Sequence, residues 1–158
     1  MADFLPPEKI NIKNKKAWHE FEVLERYTAG LRLLGSEIKS IRQGKASIKE
    51  AFCYFHHGEL FVKQMHIAAY EKSEAFFGHE ERRERKLLLR KDELRKIQKK
   101  MKDTGITVIP LRLFMGNRGF AKLEIGVAKG KKLHDKRRDL KEKDLKREME
   151  RAKKEGGR

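Results

Sequence analysis

Apolar and polar positions alternate most cleanly at 121–128. Ala121, Leu123, Ile125 and Val127 interleave with Lys122, Glu124, Gly126 and Ala128, the period-two signature of a strand with one buried face. Residues 106–115 are apolar on both faces, as a strand closed into a barrel would be, and Gly116-Asn117-Arg118-Gly119 reads as the turn between them. Residues 51–55 and 60–67 predict a second hairpin around His56-His57-Gly58-Glu59. Residues 19–26 fit either a strand, through Phe21 and Val23, or a helix, through Trp18, Phe21 and Leu24. Tyr27-Thr28-Ala29-Gly30 resembles a turn before an apolar run at 31–34, which favours a further hairpin.

Two helices punctuate these strands. Ser36 is placed to cap the first, Ile38 and Ile41 share a face, and Gly44 closes it. The second runs over 91–103, with Leu94, Ile97 and Met101 at i, i+3 and i+7. Arg90 stands at its N-cap and caps poorly, with Asp92 and Glu93 compensating at the positive end of the helix dipole. Leu87-Leu88-Leu89 reads as a compact buried anchor, and 68–85 as irregular and increasingly charged. Six short strands joined by turns or one helix predict a mainly β, α+β chain whose economical solution is a small antiparallel barrel with two or three short helices. The expected organisation is a flexible lead-in over 1–16, a barrel domain over 17–128 and a basic tail over 129–158.

Charge changes this picture from a fold into a function class. The chain carries a net +16. Residues 81–103 hold 11 Lys/Arg against 5 Asp/Glu, and 129–158 hold 14 against 7. Charge clustered in two blocks is a footprint for polyphosphate. The tail has little beyond Leu133, Leu140, Leu145 and Met149 to bury, so its order calls for an anionic partner, with acid-first i,i+4 pairs supporting nascent helix. No apolar run of 18 residues suggests a membrane span, and the N-terminus lacks the pattern of a signal peptide. Cys53 is the single cysteine, so no disulfide framework is expected and a reducing, cytoplasmic setting is.

Catalytic chemistry finds no residues to carry it. Adjacent His56 and His57 in a turn are expected to point apart, no metal-ligand spacing occurs, and Gly130-Lys131-Lys132 lacks the glycine spacing of a phosphate loop. Neither an enzyme, a cofactor nor a metal is expected. RNA binding is: a barrel offers a rigid face, aromatics such as Phe21 or Phe120 can stack on bases, and Lys and Arg can hold phosphates.

An ordered set of motifs then matches a known family. Asn14-Lys15-Lys16-Ala17, Ala29-Gly30-Leu31, the stretch from Gly35 through Lys45, Gly58-Glu59, Arg85-Lys86-Leu87-Leu88-Leu89, Gly126 through Lys132 and Asp135-Lys136-Arg137 lie in family order. The sequence resembles the SsrA-binding family, the tmRNA partners of bacterial trans-translation. The resemblance implies an oligonucleotide-binding-type barrel that holds the tRNA-like domain of tmRNA and helps deliver it to stalled ribosomes. It implies a C-terminal tail that enters the empty mRNA path near the decoding centre. The implied partners are tmRNA and the ribosome, mainly its small subunit and rRNA, with no membrane and a monomeric, cytoplasmic chain. RNA-contacting positions implied by the family are Phe21, Thr28, Leu88, Arg90 and Lys122. The tail motif is Gly130, Lys131, Lys132, Asp135, Lys136 and Arg137. Thr28 replaces a usually acidic residue, and Arg90 a frequent capping Asn. A ribosomal or general RNA-binding protein is the alternative that charge and barrel alone would allow.

Overall fold

The computed structural model describes residues 4–70, 78–131 and 133–156, the last segment with side chains over 141–153 only. Residues 71–77 of the stretch expected to be irregular lie outside the described residues, as does Lys132.

A single 3₁₀ turn, Pro7–Lys9, leads into β1 (Asn11–Lys13) and α1 (Lys15–Glu20). The long β2 (Phe21–Leu31) is followed by α2 (Gly35–Arg42) and the two-residue β3 (Ala46–Ser47). Next come β4 (Phe52–His56), β5 (Glu59–Lys63), β6 (His66–Ile67) and β7 (Arg85–Leu88). The chain ends with α3 (Lys91–Lys100), β8 (Ile106–Met115), β9 (Ala121–Gly130) and α4 (Leu133–Gly156).

Antiparallel pairings run β8-β4-β5-β7-β2-β9 and return to β8, so six strands wrap a small oligonucleotide-binding-like barrel, with β1 added outside β8. The wrap is thinnest between β4 and β8, where among the described residues Cys53 opposite Val108 is the single paired position. Inside lie Leu60, Val62, Met65, Val108, Leu113, Leu123, Ile125 and Val127, all fully buried. Ile97 plugs α3 into the same core.

Two expectations about strands need correction. No turn interrupts residues 27–30: β2 runs straight through them, paired with β9 along its length. Ala29-Gly30 looks like a turn in sequence, but the small residues serve a close strand approach instead. A Cβ on Gly30 would sit 3.3 Å from the Leu88 Cβ. The leucine triplet is not buried as a block either. Strand alternation buries Leu87 at 1% exposure and turns Leu88 outward at 49%.

The expected lead-in also does structural work. Ile10 and Asn14 are buried, and Asn14 Nδ2 donates to the Pro110 carbonyl at 2.9 Å while its Oδ1 accepts the Ala17 N–H. That side chain caps α1. Helix α2 starts differently from its predicted Ser36 cap: Leu34 is the N-cap, and its N–H donates to Glu37 Oε1 at 2.8 Å.

Glu37 has a second task that sequence patterning missed. It is fully buried and ion-pairs with Arg85, itself fully buried, and with Arg83 at 2.6 Å. Arg85 also donates to the Met65 carbonyl at 2.5 Å and the Glu81 carbonyl at 3.1 Å. The network ties α2 to β7 and to the turn before it. Burial alone would push the Glu37 carboxyl up, but Arg83, the Leu34 N–H and Arg85 outweigh it and hold it below the usual carboxylate range.

Candidate nucleic-acid interface

The outer face of β7-β2-β9-β8-β1 divides into a covered half and an open half. At the covered end, Ala17 of α1 packs on Ile109, Leu111 and Ala128, with Phe21 and Val23 against them. Gly126 makes room there: a Cβ would meet Leu111 Cδ1 at 3.0 Å and Val23 Cγ1 at 3.1 Å. Register irregularities between Val23 and Glu25 in β2, and between Pro110 and Arg112 in β8, separate this end from the other.

Beyond the irregularities the face is open. Pairing registers place Leu88, Gly30, Lys122, Phe114 and Asn11 in one row across five strands. At about 4.8 Å per strand, the step from Leu88 to Phe114 spans roughly 14 Å. The adjoining row is Thr28, Glu124, Arg112 and Lys13. Gly30 lets the Leu88 side chain lie close over the sheet, its Cδ1 3.6 Å from where a Cβ would stand. Arg112 lies over the Phe114 ring at 4.1 Å, a cation–π contact that presents charge and an aromatic surface together. Glu124 is held by Arg112 at 3.4 Å and Arg26 at 3.7 Å, and Arg26 in turn lies over Trp18 at 5.4 Å. The one carboxylate of these two rows is therefore countered by two guanidinium groups. Phe120, 63% exposed in the turn before β9, stands at the edge of the first row.

Three of the five expected RNA positions, Thr28, Leu88 and Lys122, thus meet on one open face. Arg90 follows two residues after Leu88 as the N-cap of α3, exposed and ion-paired with Asp92 at 3.5 Å and Glu93 at 3.3 Å. The capping expected to be poor is done by Glu93, which accepts the Arg90 N–H at 3.2 Å. Phe21 does not join the group. It is half-buried at the far end of β2, opposite Gly130 and packed in the small cluster under α1.

Arg112 and Phe114 belong to the open face but drew no notice in the sequence. The signal was there: Arg112 is the one charged residue in the apolar run 106–115. A lone charge in a strand otherwise buried on both faces marks a place where one face opens to water.

The tail leaves from the covered end. Gly130 closes β9, and the Lys131 N–H donates to the Glu20 carbonyl at 2.9 Å, extending the ladder by one bond. Lys131 lines a cleft between α1 and α4 with Lys15, Lys16, Trp18, His19, Glu142, Lys143 and Lys146. Asp135, Lys136 and Arg137 lie on α4, and their side chains are outside the described residues. Among the described residues no group of three His, Cys, Asp or Glu side chains is placed to hold a metal ion, and no helix is long and apolar enough to cross a membrane.

Comparison with known proteins shows the family. The family model described as "SmpB protein" matches residues 11–155. An SsrA-binding protein of Bacteroides thetaiotaomicron is 56% identical over 146 residues, covering 90% of this chain and 94% of its own. One from Christiangramia forsetii is 53% identical over 146 residues, covering 92% of each. Among solved structures, a chain from "tmRNA-SmpB: a journey to the center of the bacterial ribosome" superposes with a TM-score of 0.66 at 41% identity, covering 81% of this chain and 87% of that one. With the family model spanning nearly the whole described fold, the chain belongs to the SmpB family of SsrA-binding proteins.

Proposed function

We propose that this chain binds the tRNA-like domain of tmRNA and helps deliver it to stalled ribosomes in trans-translation, acting as a non-catalytic RNA-binding protein of the cytoplasm. The observation that carries the reading is the open row of Leu88, Gly30, Lys122 and Phe114. It offers an apolar contact, a cation and an aromatic ring on one rigid sheet, the mixture that a folded RNA with exposed bases and phosphates requires. Family membership points to the particular RNA. Thr28 and Arg90 flank the row, and we assign Phe21 to the root of the tail instead.

We assign the tail beyond Lys131 to the empty mRNA path of the ribosome. Lys129 and Gly130 pair with Glu22 and Phe21, so the arm separable from the barrel begins after Lys131, beyond the boundary expected at 128. A chain ending at Lys131 is expected to bind tmRNA with near-normal affinity and to lose tagging on ribosomes stalled at broken messages. Normal tagging by that truncated chain would refute the tail assignment. For the barrel, Lys122→Gln is expected to weaken tmRNA binding and lower the salt slope by about 0.7–0.9 for the lost phosphate.

A further inference from the structure

Helix α3 carries a row of cations that the barrel does not use. At about 100° per residue, Lys91, Arg95, Lys99 and Lys102 fall within roughly 80° of arc, and they extend over about 16 Å along the axis. All four are exposed, with Lys102 in the turn that follows the helix. Ile97 anchors the opposite side in the core, with Leu94 and Met101 beside it.

This row carries its charge without ion pairs: the exposed carboxylate beside it, Asp103, lines the same cleft as Lys99 and forms no ion pair with it. The acids at the start of α3, Asp92 and Glu93, are both engaged by Arg90. On the flank facing β2, Glu25 is taken by Lys100 and by the Tyr27 hydroxyl, which donates to it at 2.6 Å. Lys100 holds the Glu25 carboxyl low, and burial together with Glu25 pushes the Tyr27 phenol up to about 12. Among the described residues, Lys91, Arg95, Lys99 and Lys102 therefore keep their charges without a carboxylate partner. Lys63, Lys86 and Arg112 on the barrel are paired, whereas unpaired barrel cations such as Lys13 and Lys122 belong to the open face already described.

We propose that the α3 row of Lys91, Arg95, Lys99 and Lys102 is a second RNA site that grips the sugar–phosphate backbone of a double helix. The proposal rests on the RNA-binding reading above and adds a surface to it. A duplex is favoured over a single strand because the row carries no aromatic side chain. Single strands are held by base stacking, whereas a duplex presents regular phosphates with its bases turned inward. A straight, rigid helix with cations about 6 Å apart suits that regularity. The site reads shape and charge, not sequence. It begins directly behind Leu88, so an RNA seated on the open face can extend a stem along it.

The test compares the full-length chain with the variant Lys91→Gln/Arg95→Gln/Lys99→Gln/Lys102→Gln, glutamine being chosen because it preserves helix propensity. Three probes are titrated at several salt concentrations: a blunt RNA duplex, polyuridine of equal length and a tRNA-like-domain RNA. The quadruple variant is expected to bind the duplex at least about tenfold more weakly, with the salt slope reduced by about 3–4. Conservative Lys→Arg changes at 91, 99 and 102 are expected to retain duplex binding. Unchanged duplex affinity and slope in the glutamine variant would overturn the proposal, as would loss of binding in the arginine variant. Equal or tighter binding of polyuridine by the unaltered chain would overturn the assignment to a duplex. If the unaltered chain shows no preference for the tRNA-like RNA over the plain duplex, the functional reading fails instead, which separates the two outcomes.

Discussion

The barrel and the arm that leaves it are built on opposite principles. In the barrel, Leu60, Val62, Leu113, Leu123 and Ile125 have no exposure at all. In the arm, every described side chain from 141 to 153 is exposed, including Leu145 at 54% and Met149 at 66%. The barrel is held by what it hides. The arm is helical over 24 residues with no core beneath its described part. An acid-first i,i+4 spacing such as Glu142 to Lys146 is worth only about 0.2–0.5 kcal/mol. A substitution in the barrel should therefore register first as stability, and one in the arm as function.

The sharpest test of that contrast is the buried ion pair. Glu37→Gln leaves Arg85 buried opposite a neutral partner, and a loss of about 3–5 kcal/mol in urea unfolding is expected. The pH dependence follows from the direction of the shift. A carboxyl whose folded pKa is depressed adds stability above the usual carboxylate range, and that contribution disappears as pH falls through the lowered folded value. Stability of the native chain is expected to fall with acid more steeply than that of Glu37→Gln.

Leu123→Ala comes next, with an expected loss of about 2–5 kcal/mol from transfer and cavity terms together. It should weaken RNA binding only in proportion to the unfolded fraction. On the open face, Leu88→Asp is expected to leave the unfolding midpoint within about 0.5 kcal/mol of the native chain, because the side chain is half-exposed. Its cost falls on tmRNA affinity, expected to drop on the order of tenfold in a filter-binding titration. A large stability loss with unchanged affinity would place Leu88 in the core and break the contrast. The smallest effect is expected for Leu145→Ala/Met149→Ala, within about 0.5 kcal/mol by thermal unfolding. A larger loss would mean that the arm docks on the barrel.

Much of the fold was legible in the sequence, for identifiable reasons. The hairpin of β8 and β9, the hairpin of β4 and β5, and helices α2 and α3 all follow their periodicity. Strand β2 did not, because Ala29-Gly30 satisfies turn statistics while serving the packing of Leu88. Gly30 is small for the sake of a neighbour 58 positions away, and local patterning cannot see that neighbour. The Glu37–Arg85 pair was hidden for the same reason: a charged residue on an amphipathic helix reads as surface unless its partner is known. At the site, Leu88 and Lys122 were named through the family resemblance. Strand alternation explains why they lie together, and also why Arg112 and Phe114 join them. Phe21 carried an aromatic ring at a family position, yet its surroundings at the end of β2 serve packing more than an open surface.

One bond at the root of the arm has mechanical consequences. The Lys131 N–H to the Glu20 carbonyl joins the end of α1 to the residue after β9, just past the Phe21–Gly130 pair that ends the β2–β9 ladder. A helix of 24 residues is a lever about 36 Å long. A change of about 10° at that junction would carry the far end through roughly 6 Å, about one turn of helix. By that geometry alone, a small adjustment where α1 meets β9 would be geared up at the tip.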